Sequence, residues 1–156
     1  MSDTHTSSSG TGPVSAATGD RRRLVERAIA ALNAHDTAAF AATYSPDAVV
    51  HTSANPEPVR GTEAIAQDTE HWITAMPDMA IEIEELVVDG ATVAMRLLFT
   101  GTHTGPLTSS AGEVPPTGRT VSVPMAVFNR NDENGLTEVE HRYLDLADMA
   151  RQLGLA

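Results

Sequence analysis

Glu138, Glu140, His141 and Arg142 crowd into one stretch, Thr137-Glu-Val-Glu-His-Arg-Tyr-Leu144, which reads as the return strand of a hairpin. The outgoing strand is Thr120-Val-Ser-Val-Pro-Met-Ala-Val-Phe-Asn129, and the polar turn is Arg130-Asn-Asp-Glu-Asn-Gly135. Successive side chains of a strand point to opposite faces, so Glu138, Glu140 and Arg142 share one face and Val139, His141 and Tyr143 the other. On an apolar face, burial favours a neutral carboxyl at Glu140, and the guanidinium two residues on favours the ionised form. The balance of the two can suit general acid–base work. The same residues at a wet sheet end would form only a structural ion pair, and residue types alone leave both readings open.

Several other chemistries lack their residues. All ten basic residues of the 156 are arginine, so no lysine can form a Schiff base. There is no cysteine, hence no disulfide, thiolate nucleophile or cysteine metal site. No G-x-S-x-G elbow, Walker loop or G-x-G-x-x-G occurs. The histidines show no i, i+4 or His-x-His spacing, so no metal is expected. The net charge of −11 disfavours nucleic acid and anionic membrane surfaces as partners. Arg21, Arg22, Arg23 and Arg27 then read as the solvated side of a helix. No apolar run reaches the roughly 18 residues of a membrane span, and the N-terminus lacks a signal-peptide pattern. A soluble, cytoplasmic protein is the expectation.

The elements that must position these groups follow from pattern. Residues 1–18 are rich in Ser, Thr and Gly and read as a disordered tail before one domain, 19–156. Asp20 is placed to cap a helix reaching Asn33, with a stripe of Leu24, Val25, Ala28, Ile29 and Leu32. A short helix over Thr37–Tyr44 and a strand over 48–52 come next. Thr62 is placed to cap a third helix, to Met76, with Ile65, Thr69 and Trp72 on one face. The rest is strand: 79–88, a turn at Asp89-Gly90, 91–100, a loop over 101–118, the hairpin above, and a last short helix over 146–153. Three helices followed by an antiparallel meander is an α+β layout, a curved sheet with helices closing one face over a conical pocket. The other sheet face needs a cover, most simply a second copy of the chain.

The blocks Tyr44-Ser-Pro-Asp-Ala-Val-Val-His51, Arg60-Gly-Thr-Glu-Ala-Ile65, Gly101-Thr-His-Thr-Gly105, Pro115-Pro-Thr-Gly-Arg119 and Leu144-Asp-Leu-Ala-Asp-Met-Ala-Arg-Gln-Leu-Gly154 stand in this order. Over residues 20 to 156 the chain resembles the SnoaL-like polyketide cyclases, or ester cyclase family, of the NTF2-like superfamily. The resemblance implies an NTF2-like cone, a homodimer or homotetramer, and a cofactor-free cyclase. Such an enzyme closes a ring on a hydrophobic polyketide intermediate in secondary-metabolite biosynthesis, by aldol-type chemistry or a shape-directed cycloaddition. Members of the family place an acid/base aspartate on the last strand, two residues after a histidine; those positions hold Arg142 and Glu140 here. The Gln and His of the preceding strand fall near Ala126 and Phe128. By likeness to ketosteroid isomerases the base position is Thr52, which cannot abstract a proton.

With the resemblance, the expected catalytic residues are Glu140, Arg142 and His51, the last on a strand end that borders the pocket in the superfamily. The expected substrate-binding residues are Tyr44, Trp72, Met95, His103, Phe128 and Glu138. His141 is expected on the opposite face, nearer a subunit contact. Two alternatives stand beside the cyclase: an epoxide or lactone hydrolase or isomerase of the same fold, and a non-catalytic ligand-binding module.

Overall fold

The computed structural model describes residues 13–156, with side chains from residue 18 onward. Helix α1 spans Pro13–Asn33, α2 Thr37–Ala41 and α3 Gly61–Ala75. Strands β1 (Tyr44–Thr52) and β2 (Val59–Arg60) precede α3. After it come β3 (Ala80–Asp89), β4 (Thr92–Thr102), β5 (Leu107–Ser109), β6 (Gly112–Val114), β7 (Thr120–Asn131), β8 (Thr137–Leu144) and helix α4 (Leu146–Gln152). Most of the expected tail lies outside the described residues. Its last part does not, since α1 is already helical at Pro13. Asp20 therefore sits inside the helix, paired with Arg23 at 2.7 Å, and caps nothing.

The main sheet has the order β2-β1-β8-β7-β4-β3. It is a curved antiparallel sheet with one exception: β1 runs parallel to β8. The hairpin β3–β4 turns one residue later than expected, with Asp89 opposite Thr92 and Gly90 at φ 58°, a conformation glycine adopts without strain. Pro124 is tolerated in β7 because β8 pairing ends at Met125–Leu144. Beyond that point Gln152 of α4 takes over the edge, accepting from Ser122 N at 2.7 Å and donating to Ser122 O at 3.0 Å.

Helices α1, α2 and α3 lie over one face of the sheet. The stripe of α1 expected from its spacing faces inward, with Leu24, Val25, Ala28, Ile29 and Leu32 in the wall of a cavity. At its C-terminal end α1 is pinned to β3: Asn33 exchanges two hydrogen bonds with the Ile81 backbone, at 2.9 and 2.7 Å. His35, at φ 57°, turns the chain so that Asp36 can cap α2 through Ala39 N.

Three of the blocks that carried the family resemblance, residues 101–105, 115–119 and 144–154, clasp one another. His103 N donates to Arg119 O and Gly118 N to His103 O. The His103 ring is fully buried, its Nδ1 accepting from Thr117 N at 3.2 Å. Gly105 lies against the end of α3, where a Cβ would come within 2.0 Å of Thr74 O. Arg119 in turn packs on Gly154, next to the buried Leu153. These contacts tie the segment after β4 to the end of α3 and to the residues after α4.

Candidate functional site

A cavity of about 410 Å³ lies between the helices and the inner sheet face, within the range of small-molecule sites. Its wall is mostly apolar, with Leu24, Leu32 and Phe40 from the first helices, Trp72 from α3, and Met95, Leu97, Phe99, Met125 and Val127 from the sheet. Arg27 of α1 also lines it, and at one place the wall carries a carboxylate and a guanidinium together. Glu140 and Arg142 project inward from β8, two residues apart on the same face, as strand parity requires.

Arg142 Nε donates to Glu140 Oε1. The Tyr44 hydroxyl donates to the same carboxylate, 3.1 Å from Oε1 and 3.0 Å from Oε2, and accepts from Arg142 Nη2 at 3.2 Å. Asp68, from α3, reaches Arg142 Nη1 at 3.4 Å. The side chains of Glu140, Arg142 and Asp68 are 5%, 15% and 15% exposed, so the group is largely removed from water. Burial opposes the charge on Arg142, but Glu140, Tyr44 and Asp68 outweigh it and raise the guanidinium above its ordinary value. Burial, reinforced by Glu140, also pushes the Tyr44 hydroxyl well above the usual phenol range. Tyr44 is therefore a fixed hydrogen-bond donor and Arg142 a fixed cation. The carboxylate keeps lone pairs free, since two donors do not fill its roughly four acceptor positions.

Of the expected site residues, Glu140, Arg142, Tyr44, Trp72 and Met95 come together around this cavity. Four others do not. His51 is exposed on the outer sheet face, opposite His141 in the parallel β1–β8 register, and the two rings stack at 4.6 Å. Phe128 pairs with His141 across β7–β8 on that same outer face and is 48% exposed. Glu138 leaves the inner face because the register shifts there: Arg130 pairs with Val139, and Asn131 already pairs with Thr137. The extra residue is a bulge, so Thr137 takes the inward position and Glu138 meets Arg130 at 3.4 Å instead. His103 is buried in the clasp and lines no part of the cavity, and burial lowers its imidazole below the ordinary value despite the opposing Gly105 backbone. His141 lies on the outer face, as its parity with Glu140 requires.

Sequence reasoning missed Asp68, Asn129, Asn131 and Thr137. The asparagines carried a signal, because they continue the every-second-residue series Val121, Val123, Met125 and Val127 on one face of β7. Asp68 stands four residues before Trp72 and so one helical turn away on the same face. The positions near which the family's Gln and His fall, Ala126 and Phe128, face outward; Val127 and Asn129 are the inward residues beside them. Thr52 does line the cavity, its hydroxyl held by Ala54 N at 3.1 Å. Among the described residues, no group of three or more His, Asp and Glu side chains is placed to hold a metal ion, and no helix is long and apolar enough to cross a membrane.

Helices closed over the inner face of a curved antiparallel sheet, with a cavity between them, define the NTF2-like or ketosteroid isomerase-like fold. The model of the family described as SnoaL-like polyketide cyclase matches residues 22–153, and the chain belongs to that family. IdmH of Streptomyces antibioticus, a candidate polyketide cyclase, is 26% identical over 86% of this chain and 98% of that one, with a TM-score of 0.72. TsrD of Streptomyces laurentii is 26% identical over 88% of this chain and 97% of its own, with a TM-score of 0.76. A candidate SnoaL-like polyketide cyclase of Jannaschia Sp. CCS1 shares the fold with a TM-score of 0.79, covering 96% of this chain and 99% of that one, at 18% identity. A search of curated protein sequences returns no match.

Proposed function

We propose that this chain is a cyclase that closes a ring on a hydrophobic polyketide intermediate, with Glu140 as the group that moves the proton. The observation that carries this reading is a carboxylate only 4% exposed in the wall of an apolar cavity, bonded by both Tyr44 and Arg142. The Arg142 guanidinium and the Tyr44 hydroxyl both donate to this carboxylate and fix its direction. In an aldol-type closure, Glu140 takes a proton from a carbon next to a carbonyl. The electron pair left on that carbon forms the new bond to a second carbonyl carbon, and the oxygen of that carbonyl takes the proton back from Glu140. The cavity contributes by holding the chain folded with the two carbons close, an effect worth several kcal/mol. A second copy of the chain is proposed to cover the outer sheet face.

Turnover of a polyketide intermediate tests the reading. Glu140→Gln keeps the shape and the hydrogen bonds of an acceptor but cannot take a proton, so the rate should fall on the order of 10²–10⁴-fold. A variant as fast as the parent refutes the acid–base step and leaves a closure directed by shape alone. Reaction in oxygen-18 water separates the hydrolase alternative, since ring closure adds no water oxygen to the product.

A further inference from the structure

Most polar groups in the cavity wall are already committed. Tyr44, Glu140 and Arg142 bond one another, Thr52 is held by Ala54 N, and the Thr69 hydroxyl donates to Ile65 O at 2.8 Å. Asn129 is different. It is 8% exposed, lines the cavity, and pairs directly with Glu140 across β7–β8. Its Oδ1 is buried without a partner, and its Nδ2 makes no hydrogen bond to any described residue. Asn131, two residues on along the same face, keeps one tie, from Nδ2 to Gly135 O at 3.0 Å. A buried amide oxygen without a partner destabilises the fold, and an apolar side chain of the same shape would be better there. Nothing in the packing of β7 calls for an asparagine at this position.

From this we infer that Asn129 is a substrate-positioning residue, whose amide hydrogen-bonds an oxygen of the bound molecule and seats that oxygen beside Glu140. Residues directly opposite in an antiparallel pair have Cβ atoms roughly 4.5–5.5 Å apart, so one ligand atom can touch both side chains. The amide turns over about its last bond, so it can donate to a carbonyl or accept from a hydroxyl. The ligand class is a mainly hydrocarbon ring compound bearing a carbonyl or hydroxyl. The inference rests on the reading of the cavity as the substrate site.

Trp72, the single tryptophan of the chain, lines the cavity and reports its occupancy. Its fluorescence is titrated with 2-tetralone and with tetralin, which share a carbon frame and differ by the oxygen. Asn129→Leu should weaken 2-tetralone binding by roughly tenfold, leave tetralin binding unchanged or tighter, and melt at the same or a higher temperature than the parent. Asn129→Ala, which cannot overpack, should repeat the selective loss. Equal changes for the two probes, an unchanged 2-tetralone affinity, or a lower melting temperature with both probes lost would overturn the inference while leaving the cavity a binding site. If neither probe quenches Trp72 in the parent, the cavity reading itself fails and this one with it.

Discussion

Replacing Arg142 by methionine removes the guanidinium that both Glu140 and Asp68 bond, and strands two carboxylates that are 5% and 15% exposed. Methionine keeps most of the stem volume, so the change isolates charge from packing. Breaking a buried pair by deleting one partner costs about 3–5 kcal/mol, several times the worth of a surface pair. For a domain of this size each kcal/mol moves the melting temperature by roughly 2–4 °C, so Arg142→Met should melt roughly 6–20 °C below the parent. The assay is thermal and urea unfolding followed by circular dichroism at pH 8. The triple replacement Arg142→Met, Glu140→Gln, Asp68→Asn removes all three charges together and should recover most of the loss. A deficit of less than about 1 kcal/mol at pH 8 would place the group in a water-like setting, and the enclosed-carboxylate reading would fall with it.

The clasp around His103 gives a second test. Burial holds its imidazole below the ordinary 6.5, so the unfolded chain binds the proton more readily than the folded one. Stability should therefore fall as pH drops from about 6.5 through the lowered value, and His103→Gln should flatten that part of the unfolding curve against pH. Gly105→Ala forces a methyl group to within 2.0 Å of Thr74 O and should cost about 1–3 kcal/mol or more in urea unfolding. Gly19→Ala, in the interior of α1 with its nearest neighbour at 3.8 Å, should stabilise by about 0.5–1 kcal/mol in the same assay. Tyr143 and Phe128 stand 55% and 48% exposed on the outer sheet face. Phe128→Glu should lower the sedimentation coefficient if a second copy packs there, and an unchanged coefficient rejects that arrangement.

What the sequence disclosed, and what it withheld, divides along physical lines. Alternation within one strand is local, so the common face of Glu140 and Arg142 and the opposite face of His141 were legible, but not which of the two looks inward. How one strand is set against another is not local. His51 and Phe128 were misplaced because the face of β1 or β7 depends on its register with β8, which no single stretch encodes. Glu138 was misplaced by a bulge that no glycine or proline announces. His103 looked chemical because it is a histidine among glycines, yet those glycines permit close backbone approach to α3 and the ring fills the gap. The partner Asp68 comes from a helix 74 residues before Arg142, beyond the reach of spacing arguments.

The parallel seam between the first long strand and the last has a bearing on how the molecule comes into being. The Tyr44 hydroxyl meets its carboxylate across 96 positions of chain, among the longest closures in the fold. Until residues 137–144 have left the ribosome, β1 can bond only to the two-residue β2. Loops that long are slow to close, so the ionic corner of the cavity is assembled late in folding. A chain ending at residue 136 should hold the β3–β4–β7 meander with α1 pinned to it but without the site, and protease should cut first within residues 44–60, where β1 has lost its β8 partner.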